Sequence, residues 1–235
     1  VSVIVLIYNV EQYIERCVES LYNQSLESLE YIFVDDCSTD RSIEVLRKIM
    51  SKYPERADNS IIVANKTNQG QAKGRINGIN YAHGKYVIFC DSDDSVAHNA
   101  YQDMYDYIES TKDDIAACDF YRVYNDTTNK ESYLGNDTIH DWIKNILISK
   151  KMGSLWCHLI KRDLFVDLLT PKGNIMEDTV ILLQCLLKAN RVSTYKVPLY
   201  YYYYRSDSIS NNSEKVLEQA KHMQANLFMI SSLLS

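Results

Sequence analysis

The run Cys90-Asp91-Ser92-Asp93-Asp94 sets three carboxylates at the end of the apolar stretch Tyr86-Val87-Ile88-Phe89-Cys90. Carboxylates gain nothing inside a buried strand. A strand that stops on them therefore presents them at a sheet edge, where open α/β sheets bind ligands and divalent cations. The chemistry these residue types suit is metal-assisted binding of a nucleotide or phosphate; the bland alternative is a solvated acidic turn or a helix cap. Two more acidic groups stand at element boundaries: Asp35-Asp36 after the apolar run ending at Val34, and Glu177-Asp178 at the opening of a helical pattern, just after a loop with Gly173.

The elements that must position these groups are legible in the first half. Val1 to Ile7 is apolar and β-branched, as a central parallel strand covered on both faces requires. Asn9 is expected to cap a helix with Gln12 three residues on and Val10, Ile14, Cys17, Val18 and Leu21 on one face. A strand at Leu29 to Val34 precedes a helix carrying Ile43, Leu46 and Ile49, with Asp40 its expected cap and Asp35 a loop brace. A strand at 60–64, a helix at 72–83 stopped by a left-handed Gly84, and the strand at 86–90 complete a β-α alternation whose right-handed crossovers make a parallel sheet. The polar loops after strands one, two and four then open on one carboxyl edge.

Past Asp94 the alternation weakens. Helices are predicted at 101–108, 139–148 and 178–188, and an extended run at 115–121. Tyr200 to Tyr204 should alternate faces in a strand and pack a sheet. These are expected to extend the same sheet and build an acceptor side. In the final segment, from Ser213, Val216, Leu217, Ala220, Met223, Leu227 and Ile230 fall at helical spacing, with core packing favoured over a membrane-facing role.

Composition excludes several classes. The 235 residues, 46% hydrophobic and 24% charged, suit one soluble domain. The formal net charge of −6 argues against nucleic acid as a partner, since phosphate binding needs a basic face. Cys17, Cys37, Cys90, Cys118, Cys157 and Cys185 lie apart in apolar runs, as reduced thiols of an intracellular protein do. No stretch reaches the roughly 18 apolar residues of a membrane span, and residues 1–7 lack the basic flank of a signal peptide. The absent initiator Met and the helical pattern running to the last residues lead us to expect a longer parent chain.

Taken in order, the motifs resemble the family 2 glycosyltransferases, inverting nucleotide-sugar-dependent enzymes of the GT-A fold. The resemblance rests on Val1-Ser2-Val3-Ile4-Val5 with Tyr8-Asn9; Val34-Asp35-Asp36-Cys37-Ser38-Thr39-Asp40; Asn68-Gln69-Gly70 with Gly74-Arg75 and Gly78; Gly84-Lys85-Tyr86 leading to Asp91-Ser92-Asp93-Asp94; Glu177-Asp178; and Tyr204-Arg205 with Ser208-Ile209-Ser210. It spans nearly the whole chain. Three departures stand out: Leu6-Ile7 where Pro-Val is frequent, Gly74-Arg75-Ile76 for Ala-Arg-Asn, and Trp156-Cys157-His158-Leu159 for Trp-Asn-Lys-Leu.

The resemblance implies an α/β fold: a GT-A, Rossmann-like, mostly parallel sheet flanked by helices with a mixed C-terminal half. It is read as a single domain, with 1–95 binding nucleotide-sugar, 96–212 forming the acceptor side and 213–235 a C-terminal helix. It also implies roles. Asp93, with Asp91, would hold Mn²⁺ or Mg²⁺, which take few protein carboxylates and complete their shell from phosphates and water. Asp36 would accept from the nucleotide base with Tyr8 lying against it; Ser92 and Asp91 would line the nucleotide-sugar site, and Asp94 would support the loop. Arg75 would reach base or phosphates, or else be a surface arginine. Arg205 and Ser208 would bind phosphate, and His158 would contact metal or diphosphate unless it is simply packed beside Trp156. Asp178 is the expected general base, since a single displacement needs one carboxylate opposite the leaving group; Glu177 fits a helix-start role better.

The expected partners are a nucleoside diphosphate sugar, UDP-linked, and a glycan or lipid-linked glycan whose hydroxyl accepts the sugar. The expected location is cytoplasmic, with peripheral contact at the inner face of the plasma membrane. Two rival functions stay open at this point: a non-catalytic nucleotide-sugar-binding module, and a sugar-phosphate nucleotidyltransferase, whose glycine-rich basic loop after the first strand is unlike Tyr8-Asn9-Val10-Glu11.

Overall fold

The run Ser2–Ile7 forms β1, and it is central because both its neighbours are parallel strands, β2 (Glu30–Asp35) and β4 (Tyr86–Asp91). This is the computed structural model of the chain, and it describes residues 1–125, 127–132, 138–148, 153–204 and 216–234. β3 (Ser60–Ala64) pairs in parallel with β2, so the first half reads β3-β2-β1-β4. The four strands expected from the sequence are present and parallel. The sheet then continues β8-β6-β9-β5, with β5 (Ser95–Val96), β6 (Ile115–Val123), β8 (His158–Lys161) and β9 (Val192–Tyr203), while β7 (Thr128–Glu131) pairs with β6. β8 runs antiparallel to β4 and to β6, and it joins the two halves into one mixed sheet.

Helices cover the sheet: α1 (Ile14–Tyr22), α2 (Ser42–Lys52), the short α3 (Pro54–Ala57), α4 (Gln71–Asn80), α5 (Ala100–Thr111), α6 (Ile139–Leu147), α7 (Glu177–Lys188) and α8 (Val216–Leu233). Ile14, Cys17, Val18 and Leu21 of α1 are all buried, as their spacing predicts. Asn9, however, does not cap that helix. It lies at φ +53°, and its Oδ1 accepts the Thr39 N–H at 2.8 Å, so it ties the loop after β1 to the loop after β2. Asp40 braces the same junction, accepting from the Ser42 and Glu11 amides at 2.9 Å each, and Asp35 accepts the Ser38 amide at 2.9 Å. Cys37 and Met176 are also left-handed, at φ +66° and +61°.

Gly84 departs from expectation too. Helix α4 already ends at Asn80, and Gly84 is a close-approach glycine: an added Cβ would stand 2.7 Å from the Ser2 backbone nitrogen.

The C-terminal helix turns the other way from its apolar periodicity. Ile230 is buried, yet Leu217 is 74% exposed and Leu227 47%. The reason is Asn226, fully buried, whose amide accepts the Lys172 N–H at 2.8 Å and donates to the carbonyls of Lys172 and Ile175 at 2.9 and 2.7 Å. Three hydrogen bonds outrank a few exposed side chains in setting the rotation of a helix.

Small residues let α4 lie close on β1 and β2. A Cβ on Gly78 would sit 2.5 Å from Ile4 Cγ2 and 3.2 Å from Val34 Cγ2, and one on Gly74 would meet Leu6 Cδ2 at 3.0 Å. Leu6 therefore already occupies the space that an alanine methyl at position 74 would take. This yields a prediction for denaturant unfolding. Gly78→Ala should destabilise by about 1–3 kcal/mol through overpacking, despite its helix-propensity gain. Gly74→Ala should be near neutral alone and gain about 1 kcal/mol in a Leu6→Ala background, a coupling that a double-mutant cycle measures. Additive effects would rule out the compensation.

Candidate active site

Strand order reverses between β1 and β4, since the chain leaves β1 toward β2 on one side and returns to β4 on the other. Such a switch point opens a crevice at the carboxyl ends of the strands. Register places Asp91 beside Leu6 and Asp35 beside Ile7, so the loops bearing Tyr8, Asp36 and Asp91 to Asp94 emerge together. Tyr8 is exposed, its ring open to a ligand.

Asp36 is buried and already committed: Oδ1 accepts from Asn65 Nδ2 at 2.9 Å and from the Gln69 amide at 2.8 Å, and Oδ2 accepts the Gly70 amide at 2.8 Å. It thereby shapes the 65–70 loop and the left-handed Gly70 (φ +83°) that starts α4. The next amide, Gln71 N–H, donates to Asn174 Oδ1 at 2.8 Å, so the start of α4 is capped from the loop that leads to Asp178.

Arg75 is the centre of the site. The sequence left it between a ligand contact and a surface residue; it is 4% exposed and surrounded by three carboxylates. Its Nη2 lies 3.4 Å from Asp91 Oδ1 and 3.9 Å from Glu177 Oε1, and its Nε lies 2.6 Å from Asp178 Oδ1. The last contact is close but misaligned for a hydrogen bond, a charge pairing without a fork. Asp178 Oδ2 accepts the Leu155 amide at 3.2 Å. Both acidic residues open α7, where the helix amides favour negative charge.

One cation facing three carboxylates leaves an excess of negative charge. Burial pushes the Asp178 carboxyl up to about 6 against the pull of Arg75, with the Asp91 charge adding to the rise. Burial and then the charge of Asp178 push Glu177 further, to about 8. Both carboxyls are thus held more basic than ordinary acidic side chains, the direction a general base needs.

Asp91 and Asp93 are partly exposed at the turn after β4, whereas Ser92 and Asp94 are buried. Asp94 accepts from Tyr200 Oη and the Tyr203 amide, both at 2.8 Å, and burial, then Asp93 and Asp91, raise its pKa well above the usual range. Among the described residues no three His, Cys, Asp or Glu side chains are arranged to enclose a metal alone. Two open carboxylates suit Mn²⁺ or Mg²⁺ whose remaining positions come from phosphate and water.

His158 is set apart from this group. It is fully buried in β8 opposite Ala117, its Nδ1 is 2.7 Å from the Ser154 carbonyl, and its ring meets Trp142 edge-on, so it is a packed residue with no surface to offer a ligand. Arg205 and Ser208 lie outside the described residues. The sequence had no local sign of two features: the grouping of Arg75 with Glu177 and Asp178 across a hundred positions, and the reach of Tyr200 to the acidic turn. Only the tyrosine tract hinted at the second.

A model of the family described as Glycosyl transferase family 2 matches residues 2–168. The chain is similar to the uncharacterized glycosyltransferase EpsJ of Bacillus subtilis (strain 168), 31% identical over an alignment of 220 positions that covers 89% of this chain and 62% of that protein. It is also 31% identical to a cholesterol galactosyltransferase of Borreliella burgdorferi over an alignment of 237 positions that covers 94% of this chain and 64% of that one. Among solved structures it is similar to S. aureus TarS 1-349 in complex with UDP-GlcNAc, with a TM-score of 0.79 at 25% identity over 97% of this chain and 66% of that chain. Its helix-flanked mixed sheet is that of GT-A glycosyltransferase structures. The chain spans under two thirds of the length of both relatives.

The raised Glu177 carboxyl has a consequence for stability. Its folded pKa lies above its unfolded value, so its contribution is fully present below the ordinary carboxylate range and is lost as pH rises toward about 8. Glu177→Gln should therefore change urea-unfolding stability little at pH 5 and raise it at pH 8.5 by on the order of 1–3 kcal/mol. Equal effects at both pH values would contradict the assigned environment.

Proposed function

This chain belongs to glycosyl transferase family 2, and on that premise we propose that it transfers a sugar from a nucleoside diphosphate donor, UDP-linked, to a hydroxyl of a glycan or lipid-linked glycan, in one displacement that inverts the anomeric centre. The observation that carries the reading is the Arg75 cluster: one guanidinium contacts Asp91, on the donor side, and Asp178, in the first turn of α7. A base and a donor-binding carboxylate are thus held at a fixed relation by a shared buried cation.

Asp178 is the base. At neutral pH its carboxyl is largely ionised yet more basic than an ordinary aspartate, so it can take the proton of the acceptor hydroxyl as that oxygen attacks. Arg75 holds Asp178 in place and keeps it from becoming a neutral acid. Tyr8 offers a ring face for the base of the nucleotide, and Asp36 holds the loop beside it. A divalent cation at Asp91 and Asp93 would supply Lewis-acid stabilisation of the departing diphosphate. Arg205 and Ser208 are assigned to phosphate contact from the sequence.

The UDP-GlcNAc bound by the TarS neighbour supports a UDP-linked donor, and the relative named for cholesterol supports a lipid-bearing acceptor. No helix among the described residues is long and apolar enough to cross a membrane. We place the activity at the cytoplasmic face, in contact with a membrane-borne acceptor.

The test is a thermal-shift titration with nucleoside diphosphates, with and without Mn²⁺, since a ligand that binds the folded state raises Tm. UDP should raise Tm in the presence of Mn²⁺. Asp93→Ala should lose that metal-dependent shift. Asp178→Asn should keep it and lower transfer from UDP-sugar by at least about a hundredfold, the scale of a lost general base. In the wild type kcat/KM should rise with pH through about 6, as Asp178 loses its proton. Equal loss of UDP binding in both variants would overturn the division of roles.

A further inference from the structure

The acidic turn is held by side chains that the transfer reaction does not use. Residues 91–94 close on themselves through the Asp94 amide donating to the Asp91 carbonyl at 3.1 Å. Beyond that bond and the Arg75 contact to the Asp91 carboxylate described above, the turn is fixed from two distant elements. From β9, the Tyr200 hydroxyl accepts the Asp91 N–H at 3.1 Å and donates to Asp94 Oδ2 at 2.8 Å, while the Tyr203 amide donates to Asp94 Oδ1 at 2.8 Å. From α1, the Arg16 guanidinium donates to the Asp93 carbonyl and lies 3.5 Å above the centre of the Tyr203 ring. Tyr200 has little freedom to move: it is 2% exposed, and Trp156 stacks on its ring with centroids 4.3 Å apart.

The pattern is unlike ordinary sheet packing. A tyrosine that only packed would need its ring, and its hydroxyl would find whatever partner was near. Here the one hydroxyl is both acceptor and donor to the first and last residues of the same turn, and Asp93, between them, is held by its carbonyl. The side chains of Asp91 and Asp93 leave from main-chain positions that are fixed on both sides.

We propose that Tyr200, together with Asp94 and the Arg16–Tyr203 pair, is a positioning latch that sets Asp91 and Asp93 at the separation a divalent cation and a nucleoside diphosphate require. The inference rests on the donor-site reading given above. The tyrosine tract thereby gains a use beyond its strand: Tyr200 and Tyr203 act on the turn from opposite faces of β9, which is what alternation of side chains along a strand allows.

The experiment compares Tyr200→Phe and Arg16→Ala with Tyr31→Phe, which removes a buried hydroxyl bond to the Leu21 carbonyl (2.7 Å) away from the turn. Amide hydrogen exchange of the peptide spanning residues 88–96, without any ligand, should accelerate in the first two variants and stay unchanged in the third. Mn²⁺ binding in the presence of UDP, followed by the EPR signal of free Mn²⁺, should weaken about tenfold in Tyr200→Phe, the scale seen when a group orienting a metal ligand is lost. Arg16→Ala should weaken it as well, and Tyr31→Phe should leave it unchanged even where its Tm falls as far. Wild-type exchange and wild-type Mn²⁺ affinity in both Tyr200→Phe and Arg16→Ala would overturn the latch. If Tyr200→Phe does not fold, Arg16→Ala, at an exposed position, decides the matter. A wild-type chain that binds no UDP with Mn²⁺ would instead overturn the donor-site reading, and the latch with it; the ligand-free exchange result tells that failure from a turn that is simply held by other contacts.

Discussion

A single buried guanidinium among three carboxylates is the constraint on which the rest of the molecule depends. Arg75 cannot give up its charge, and it is almost wholly removed from water, so its cost is tolerable only while acidic groups surround it. Those groups come from the end of β4 and the start of α7, which are far apart in sequence. The ion cluster therefore does what a hydrophobic contact could not: it fixes the distance and orientation of two acidic loops relative to one another, and leaves both with charge to spare.

The backbone architecture is arranged to deliver that side chain. A side chain at Gly78 would lift α4 away from the sheet, and Arg75 with it. Asp36 and Asn174 hold the beginning of the same helix through successive amides, and Asn226 holds the loop that carries Asn174. Buried polar residues thus do most of the positioning near the cleft, while the aliphatic core under β1, β2 and β4 provides the platform. The division is physically sensible, since hydrogen bonds are directional and the hydrophobic effect is not.

What could be read from the sequence followed from local causes. The parallel strands and α1, α2 and α4 announced themselves by apolar runs and helical spacing, and the acidic turn by an abrupt change from Phe89-Cys90 to Asp91. What could not be read depended on partners distant along the chain. β8 is four residues long and had no periodicity to show. Asn9 looked like a helix cap because the residues around it fit one, but a loop thirty positions away offered its amide first. The rotation of α8 was set by one buried asparagine against its own apolar spacing. Among the site residues, the carboxylates were visible as types at boundaries; the placement of Arg75 between them was not, because nothing local distinguishes a buried arginine from an exposed one on a helix.

Three of the loops that frame the cleft each contain a residue other than glycine in left-handed backbone: Asn9 after β1, Cys37 after β2 and Met176 before α7. Asparagine adopts this conformation readily, whereas cysteine and methionine do so at a cost of about 1 kcal/mol or more each. Glycine at positions 37 and 176 would relieve that cost and at the same time widen the range of shapes the loops can take. Thermal robustness and a well-defined cleft are thus in tension at the same two positions, and a lineage adapting to heat would be expected to find its gains in the core, the surface helices and the far loops before it altered these.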